Sequence, residues 1–134
     1  MKLLLDTHIL LWALFDSRQL PGKARALIED PGNSIFTSAA SLWEIAIKFQ
    51  KQPDTFPYSE DLIHDLCDDA GFGRFAVKPE HILALHALQR MADSPAHKDP
   101  FDRILLAQAK EEGTVLLTHD RRFTEYDESC ILVV

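Results

Sequence analysis

The chain has 134 residues, a length that suits one domain with a genuine core, and 46% of them are hydrophobic against 26% charged, so it reads as globular rather than disordered. The formal net charge is −7, from 21 acids and 14 basic side chains, which argues against a broad electrostatic grip on nucleic acid. It leaves room for an enzyme that gathers its acids around cations, because a bound metal ion reverses the local sign of charge.

Lys2-Leu3-Leu4-Leu5 reads as a strand buried on both faces, ended by Asp6-Thr7-His8, with Ile9 to Phe15 continuing as a helix. That apolar run is too short to span a bilayer. Only Lys2 is basic before it and no small-residue cleavage site follows, so neither a signal peptide nor a membrane association is expected. Pro21 opens a second helix through Ala24, Leu27 and Ile28, stopped by Asp30-Pro31-Gly32-Asn33. Ser34 to Thr37 is a second strand. Ser38 or Ser41 caps a third helix carrying Leu42, Trp43, Ile45, Ala46 and Phe49, and Gln50 to Tyr58 is a loop. Ser59 caps a fourth helix with Leu62, Ile63, Leu66, Cys67 and Ala70 at helical spacing, closed by Gly71 and Gly73. Phe75 to Val77 is expected as the third strand, Pro79 as the start of a fifth helix through Ile82, Leu83, His86 and Met91, and Ala92 to His97 as a polar loop. Val115 to Thr118 and Ile131 to Val133 are the last two strands. Cys67 and Cys130 fall in no ligand or redox motif and read as small core residues of a reduced, cytoplasmic protein.

The stretch Lys98-Asp99-Pro100-Phe101-Asp102-Arg103-Ile104-Leu105-Leu106-Ala107 puts two acids and an arginine at the head of an apolar helix. Pro100 suits the first helical position, which makes Asp99 the N-cap, and Phe101, Ile104, Leu105 and Ala109 form the expected buried face. Short apolar strands alternating with helices predict an α/β sandwich of three layers: a central, mainly parallel sheet of about five strands, covered on both faces through right-handed crossovers. Strands of such a sheet end at one edge, where ligands bind near a switch in strand order. Asp6 follows the first strand, Glu44 lies in the helix after the second, and Asp120 follows the fourth. Asp102 joins them if its helix starts at that edge.

Each acid also has a local explanation: Asp6 and Asp120 as caps, Glu44 as part of a capping box with Ser41 or a partner of Lys48. Four carboxylates within a few ångströms repel one another unless some are protonated or a cation lies between them. An all-oxygen ligand set points to Mg²⁺ or Mn²⁺, and no histidine or cysteine spacing points to Zn²⁺.

Asp6-Thr7-His8, Trp43-Glu44-Ile45-Ala46-Ile47-Lys48, Asp99-Pro100-Phe101-Asp102-Arg103 with Ala107-Gln108-Ala109, and Thr118-His119-Asp120 resemble, in this order and at these spacings, the four acidic motifs of PIN domains. They are most similar to the VapC-type toxins of prokaryotic toxin–antitoxin pairs. The resemblance runs from Lys2 to Val133 and implies a single PIN domain over residues 1–134 with a PIN-like sheet. It further implies a Mg²⁺- or Mn²⁺-dependent endoribonuclease, a cognate antitoxin and a homodimer. The family's acidic quartet maps onto Asp6, Glu44, Asp102 and Asp120 as catalytic and metal-binding residues. Asp99 matches an extra acid of one subgroup, here favoured as a cap. Thr118 matches a hydroxyl residue that positions water or phosphate, with an ordinary strand-end role equally weighted.

On this reading Asp6 and Asp102 are the first-choice ligands, and Glu44 and Asp120 hold a second position or orient water. Thr7, His8 and His119 flank the site, and Arg103, Arg121, Arg122 and Lys48 are candidates to meet phosphates. With so few basic residues, selection is expected to rest on RNA shape and an exposed single-stranded loop. Trp12, Phe15 and Trp43 are candidates to line an antitoxin groove, although aromatic residues at helical spacing more often belong to the core. The competing expectations are a receiver-like regulatory domain, which lacks here an acidic pair after the first strand, a haloacid-dehalogenase-type phosphatase, which lacks Asp-x-Asp, and a PIN fold used only for binding.

Overall fold

The computed structural model describes residues 1–134. In chain order the elements are β1 (Lys2–Leu5), α1 (Thr7–Leu14), α2 (Gly22–Glu29), β2 (Ser34–Ser38), α3 (Ala39–Lys51), α4 (Glu60–Asp69), β3 (Gly73–Phe75), α5 (Pro79–Ala84), α6 (Pro100–Glu112), β4 (Val115–Thr118) and β5 (Ile131–Val133), with 3-10 turns at Leu85–Ala87 and Arg121–Glu125. The strands form one sheet in the order β3-β2-β1-β4-β5, and every neighbouring pair is parallel. From β1 the chain builds outward through β2 and β3, then returns through α6 to lay β4 on the other side of β1. The switch in strand order therefore falls between β1 and β4, and the crevice it opens lies at their C-terminal ends. A receiver-type sheet has the order 2-1-3-4-5, so that expectation is set aside.

Alternation along β1 divides the core. Leu3 and Leu5 pack with Ile9, Leu10, Ile45 and Ile63 under α1 to α4, whereas Leu4 packs with Leu105, Leu106, Leu116 and Phe123 under α6. All of these are fully buried, each contributing about 1.5–3 kcal/mol on transfer from water. Helix α6 is buried on more than the expected stripe: Leu106, Ala107 and Gln108 are buried as well as Ile104, Leu105 and Ala109. It is sandwiched between α3, α5 and β4, and a helix enclosed on several sides needs apolar residues around most of its circumference. Phe101, expected inside, is only half-buried and meets the exposed Trp43 edge-on at 5.2 Å.

A polar tie holds the start of α5 against α6. The Lys78 N–H donates to Nδ1 of the buried His81 (3.0 Å), which leaves the ring hydrogen on Nε2 to reach Glu112 (2.8 Å). Gln108 Nε2 donates to the Ala76 carbonyl (3.2 Å). Gly113 ends α6 in the left-handed conformation (φ 64°), which turns the chain directly into β4.

Several boundaries differ from the periodicity. Helix α1 begins at Thr7 because Asp6 caps it, and α3 is capped by Ser38 and runs to Lys51. Strand β3 begins at Gly73, not Phe75, since Gly73 pairs with Phe36 where only a glycine fits. The fifth helix does not reach Met91. Leu88 turns extended (φ −65°, ψ 126°), and the following residues pair with those at the end of the second 3-10 turn and just beyond it: the Met91 N–H donates to the Glu125 carbonyl (2.7 Å) and that of Asp127 to Gln89 (2.9 Å). Tertiary pairing here overrides a helical sequence pattern. Both cysteines are free thiols, Cys67 buried and Cys130 partly so. No helix is long and apolar enough to cross a membrane.

A Cβ on Gly73 would lie 2.5 Å from Cδ1 of Phe36, whose ring is stacked on Phe75 at 4.7 Å and has little room to swing. Gly73→Ala is expected to destabilise the fold by about 1–3 kcal/mol, read as a lower urea midpoint at unchanged m-value. Gly22→Ala, where nothing lies within 4 Å of the added Cβ, serves as the neutral control.

Candidate active site

Asp6 sits where β1 ends and α1 begins. Its N–H continues the sheet ladder to the Leu117 carbonyl (3.0 Å). Oδ1 accepts from the Thr7 N–H (2.7 Å) and Oδ2 from the Thr118 hydroxyl (2.6 Å). The residue is 3% exposed, and burial raises its pKa against the lowering effect of those hydrogen bonds, with nearby Glu44 raising it further. Thr118 spends its single proton on Asp6 and accepts from the Asp120 N–H (3.0 Å), so it is a strut between two acids with no proton left for a phosphate. Thr7 has a related part, donating its hydroxyl to Ser41 (3.0 Å) and thereby tying α1 to α3, one helical turn before Glu44. Ser41 is thus engaged with Thr7, and Glu44 pairs with Lys48 at 3.5 Å.

Asp102 enters from the first turn of α6, which starts at the same edge. Asp99 caps that helix, accepting from the N–H groups of Phe101 (2.9 Å) and Asp102 (3.2 Å). Asp102 is 7% exposed, and burial, with the charges of Asp6, Asp99 and Asp120, pushes its pKa up to about 8 although Arg122 works the other way. Asp120 caps the second 3-10 turn and grips Arg122 through its backbone N–H (2.9 Å), Nε (3.0 Å) and Nη2 (2.6 Å). That hold keeps the Asp120 carboxyl below its ordinary pKa. The same guanidinium reaches Asp102 Oδ2 at 3.4 Å, so Arg122 is the resident positive charge among the acids.

The crevice beside these groups, about 240 Å³, is lined by Asp6, His8, Trp12, His119 and Asp120. The Trp12 ring lies between His8 (5.9 Å) and His119 (5.7 Å), and His119 Nδ1 bonds the Val134 carbonyl. His8 and Trp12 also line a neighbouring groove of about 460 Å³ with Phe15, Phe56 and Tyr58. Trp12 and Phe15 therefore share one groove, and Trp43 lies away from it against Phe101. Arg103 is directed to the Leu85 carbonyl (3.5 Å) and pairs with none of the acids. His97 was legible only as part of a polar loop, yet its Nε2 lies 3.1 Å from Asp102 Oδ2. The irregular backbone before α6 offers no periodicity that would have singled it out.

No three histidine, cysteine or acidic side chains stand together as a ready-made metal site. The donor set nonetheless fits a hard divalent cation. It consists of carboxylate oxygens, it carries more negative charge than Arg122 offsets, and Asp102 Oδ1 has no protein partner. Asp120 is the exception, its oxygens being engaged by Arg122.

An all-parallel α/β sheet with acids at its switch point is a ligand-binding architecture, and the family follows from the sequence match. The PIN domain family model matches residues 3–129, and the chain belongs to that family. The fold is similar to VapBC2 from Rickettsia felis, solved bound to a fragment of promoter DNA (TM-score 0.69, 14% identity, 99% of this chain and 98% of that one). It is similar also to DNA-bound VapBC from Salmonella typhimurium (TM-score 0.68, 16% identity, 99% and 98%). A toxin–antitoxin complex from Klebsiella pneumoniae gives a TM-score of 0.59 at 20% identity, covering 97% of this chain and 95% of that one. No curated protein sequence matches the chain.

An acid whose pKa is raised to about 8 must stay protonated near neutral pH, which costs the fold several kcal/mol relative to an unfolded chain whose carboxyl ionises at about pH 4. Asp102→Asn should therefore raise the melting temperature in EDTA by roughly 5 °C or more, and a lowered value would contradict this electrostatic account. Differential scanning calorimetry at fixed pH makes the comparison.

Proposed function

We propose that the chain is a Mg²⁺- or Mn²⁺-dependent endoribonuclease, the toxin of a toxin–antitoxin pair. The observation that carries this reading is the gathering of Asp6, Asp102 and Asp120, with Glu44 near enough to act on the Asp6 charge, around the β1–β4 switch point. Asp6 and Asp102 are the residues to hold the cation, with Glu44 and Asp120 completing or orienting its surroundings. When bound, such an ion supplies an acidified water near neutral pH and charge stabilisation at the departing ribose oxygen.

The chain's own groups account for the remaining work. Thr7 and Thr118 hold both oxygens of Asp6 in place, so little reorganisation is needed there. Glu44 is better suited than Asp120 to accept the proton of the attacking water, because Arg122 engages both Asp120 oxygens. With the acids neutralised, Arg122 is released to meet a phosphate oxygen, and Lys48 adds positive charge on the Glu44 side. His8 and His119, flanking Trp12, face the RNA strand rather than act on it, and water attack yields 5′-phosphate and 3′-hydroxyl ends. An RNA with an exposed single-stranded loop fits a site whose surroundings carry so few cations.

The antitoxin partner is proposed from the same likeness. The groove lined by Trp12, Phe15, Phe56 and Tyr58 opens beside the acids, so an amphipathic segment lying in it can extend a basic side chain toward Asp6 and Asp120. Homodimerisation belongs to this reading too, and the exposed Trp43 and Leu83, on helices that flank α6, are apolar surface suited to it. The cytoplasm is the expected location.

Purified protein incubated with a stem–loop RNA should cut it with Mn²⁺ or Mg²⁺ and not with EDTA. Asp6→Asn, Glu44→Gln and Asp120→Asn should each lower the rate by at least roughly 100-fold without unfolding the protein. Undiminished cutting by these variants, or ends bearing 2′,3′-cyclic phosphate, would refute the proposal.

A further inference from the structure

We infer that His97 is a positioning residue for Asp102: its Nε2–H donates to Oδ2 and so fixes the carboxylate with Oδ1 left free of protein partners. This rests on the nuclease reading, which makes Asp102 a principal ligand. The geometry is that of a built-in support rather than a passing contact. The His97 side chain is 2% exposed, its Nε2 is 3.1 Å from Asp102 Oδ2, and its ring is enclosed by Phe123 and Tyr126, each 5.5 Å away.

The other ring nitrogen decides the tautomer. Nδ1 is buried and has no hydrogen-bond partner. A hydrogen placed there would bury an unpaired N–H and, with Asp102 ionised as it is when it serves as a ligand, aim the Nε2 lone pair at a carboxylate oxygen. A hydrogen on Nε2 makes the bond to Asp102 and leaves only an acceptor unpaired, the less costly choice.

The support reaches back into the fold. The antiparallel pairing of Arg90 with Tyr126, together with the Arg90 guanidinium lying 4.5 Å over the Tyr126 ring, anchors the segment that leads to His97. The pairing that ends the fifth helix early thus also holds the histidine against α6. A histidine or other donor behind a ligating carboxylate typically changes metal affinity by about 10- to 100-fold when removed.

The test is calorimetric titration of Mn²⁺ into RNA-free protein for the wild type, His97→Gln and His97→Phe, with melting temperatures recorded alongside. Gln keeps an N–H near the position of Nε2, and Phe keeps ring volume without the donor. His97→Phe should bind Mn²⁺ about 10- to 100-fold more weakly than wild type, and His97→Gln should recover most of that loss. Phe binding as tightly as wild type, or Gln binding as weakly as Phe, overturns the positioning role alone. A wild type that binds no Mn²⁺ overturns the metal reading and this inference with it. Mn²⁺ binding with the predicted variant order but no RNA cleavage overturns the nuclease reading and leaves His97 in its role. Should His97→Phe fail to fold, imidazole ¹⁵N spectra of the wild type saturated with Mg²⁺, where Asp102 is ionised, decide: a proton on Nε2 is expected, and one on Nδ1 overturns the inference.

Discussion

The site depends on a buried carboxylate held at the seam of two parallel strands. Asp6 gives one oxygen to the first N–H of α1 and the other to the hydroxyl that ends β4, and its own N–H extends the ladder between the strands. An acid at 3% exposure is costly to bury, and two hydrogen-bond donors, one from α1 and one from β4, make that placement tolerable. Because Thr118 also accepts from the Asp120 N–H, the same hydroxyl sets the position of a second acid. One side chain thus transmits the register of the sheet to the geometry of the crevice.

Crowding of like charge is the second theme. Burial and three neighbouring acids act on Asp102, and only Arg122 and His97 answer them from the protein side. Arg122 is itself more than half exposed, so its charge is partly spent on water and offsets the acids incompletely. The protein's own groups therefore balance the charge at this edge incompletely. That imbalance follows from the fold, since the β1–β4 switch and the start of α6 converge on one end of the sheet whatever the side chains there do.

Much of this was legible in the chain itself. The triple leucine after Lys2, the Asp99-Pro100 helix start and the Gly113 stop mark β1 and α6 by local chemistry, and local chemistry is what a sequence states most clearly. The parallel sheet follows from strand–helix alternation. What escaped notice depends on contacts distant in sequence. Helical spacing through Met91 gives no hint that residues 89–91 are claimed by residues 125–127. The displacement of β3 toward Gly73 comes from the Phe36 ring on the neighbouring strand. His97, in a stretch without periodicity, gains meaning only when the loop folds back over Phe123 and Tyr126. Arg122 is indistinguishable in sequence from its neighbour Arg121, and its proximity to Asp102 appears only once β4 lies beside α6.

The most direct test of the central claim is a crystal structure of the protein grown with Mn²⁺, with the metal located by its anomalous scattering. The account predicts an anomalous peak bounded by carboxylate oxygens of Asp6 and Asp102, with the Arg122 guanidinium withdrawn from Asp102. A map without signal at these acids at saturating Mn²⁺, and Arg122 still bridging Asp102 and Asp120, would contradict it.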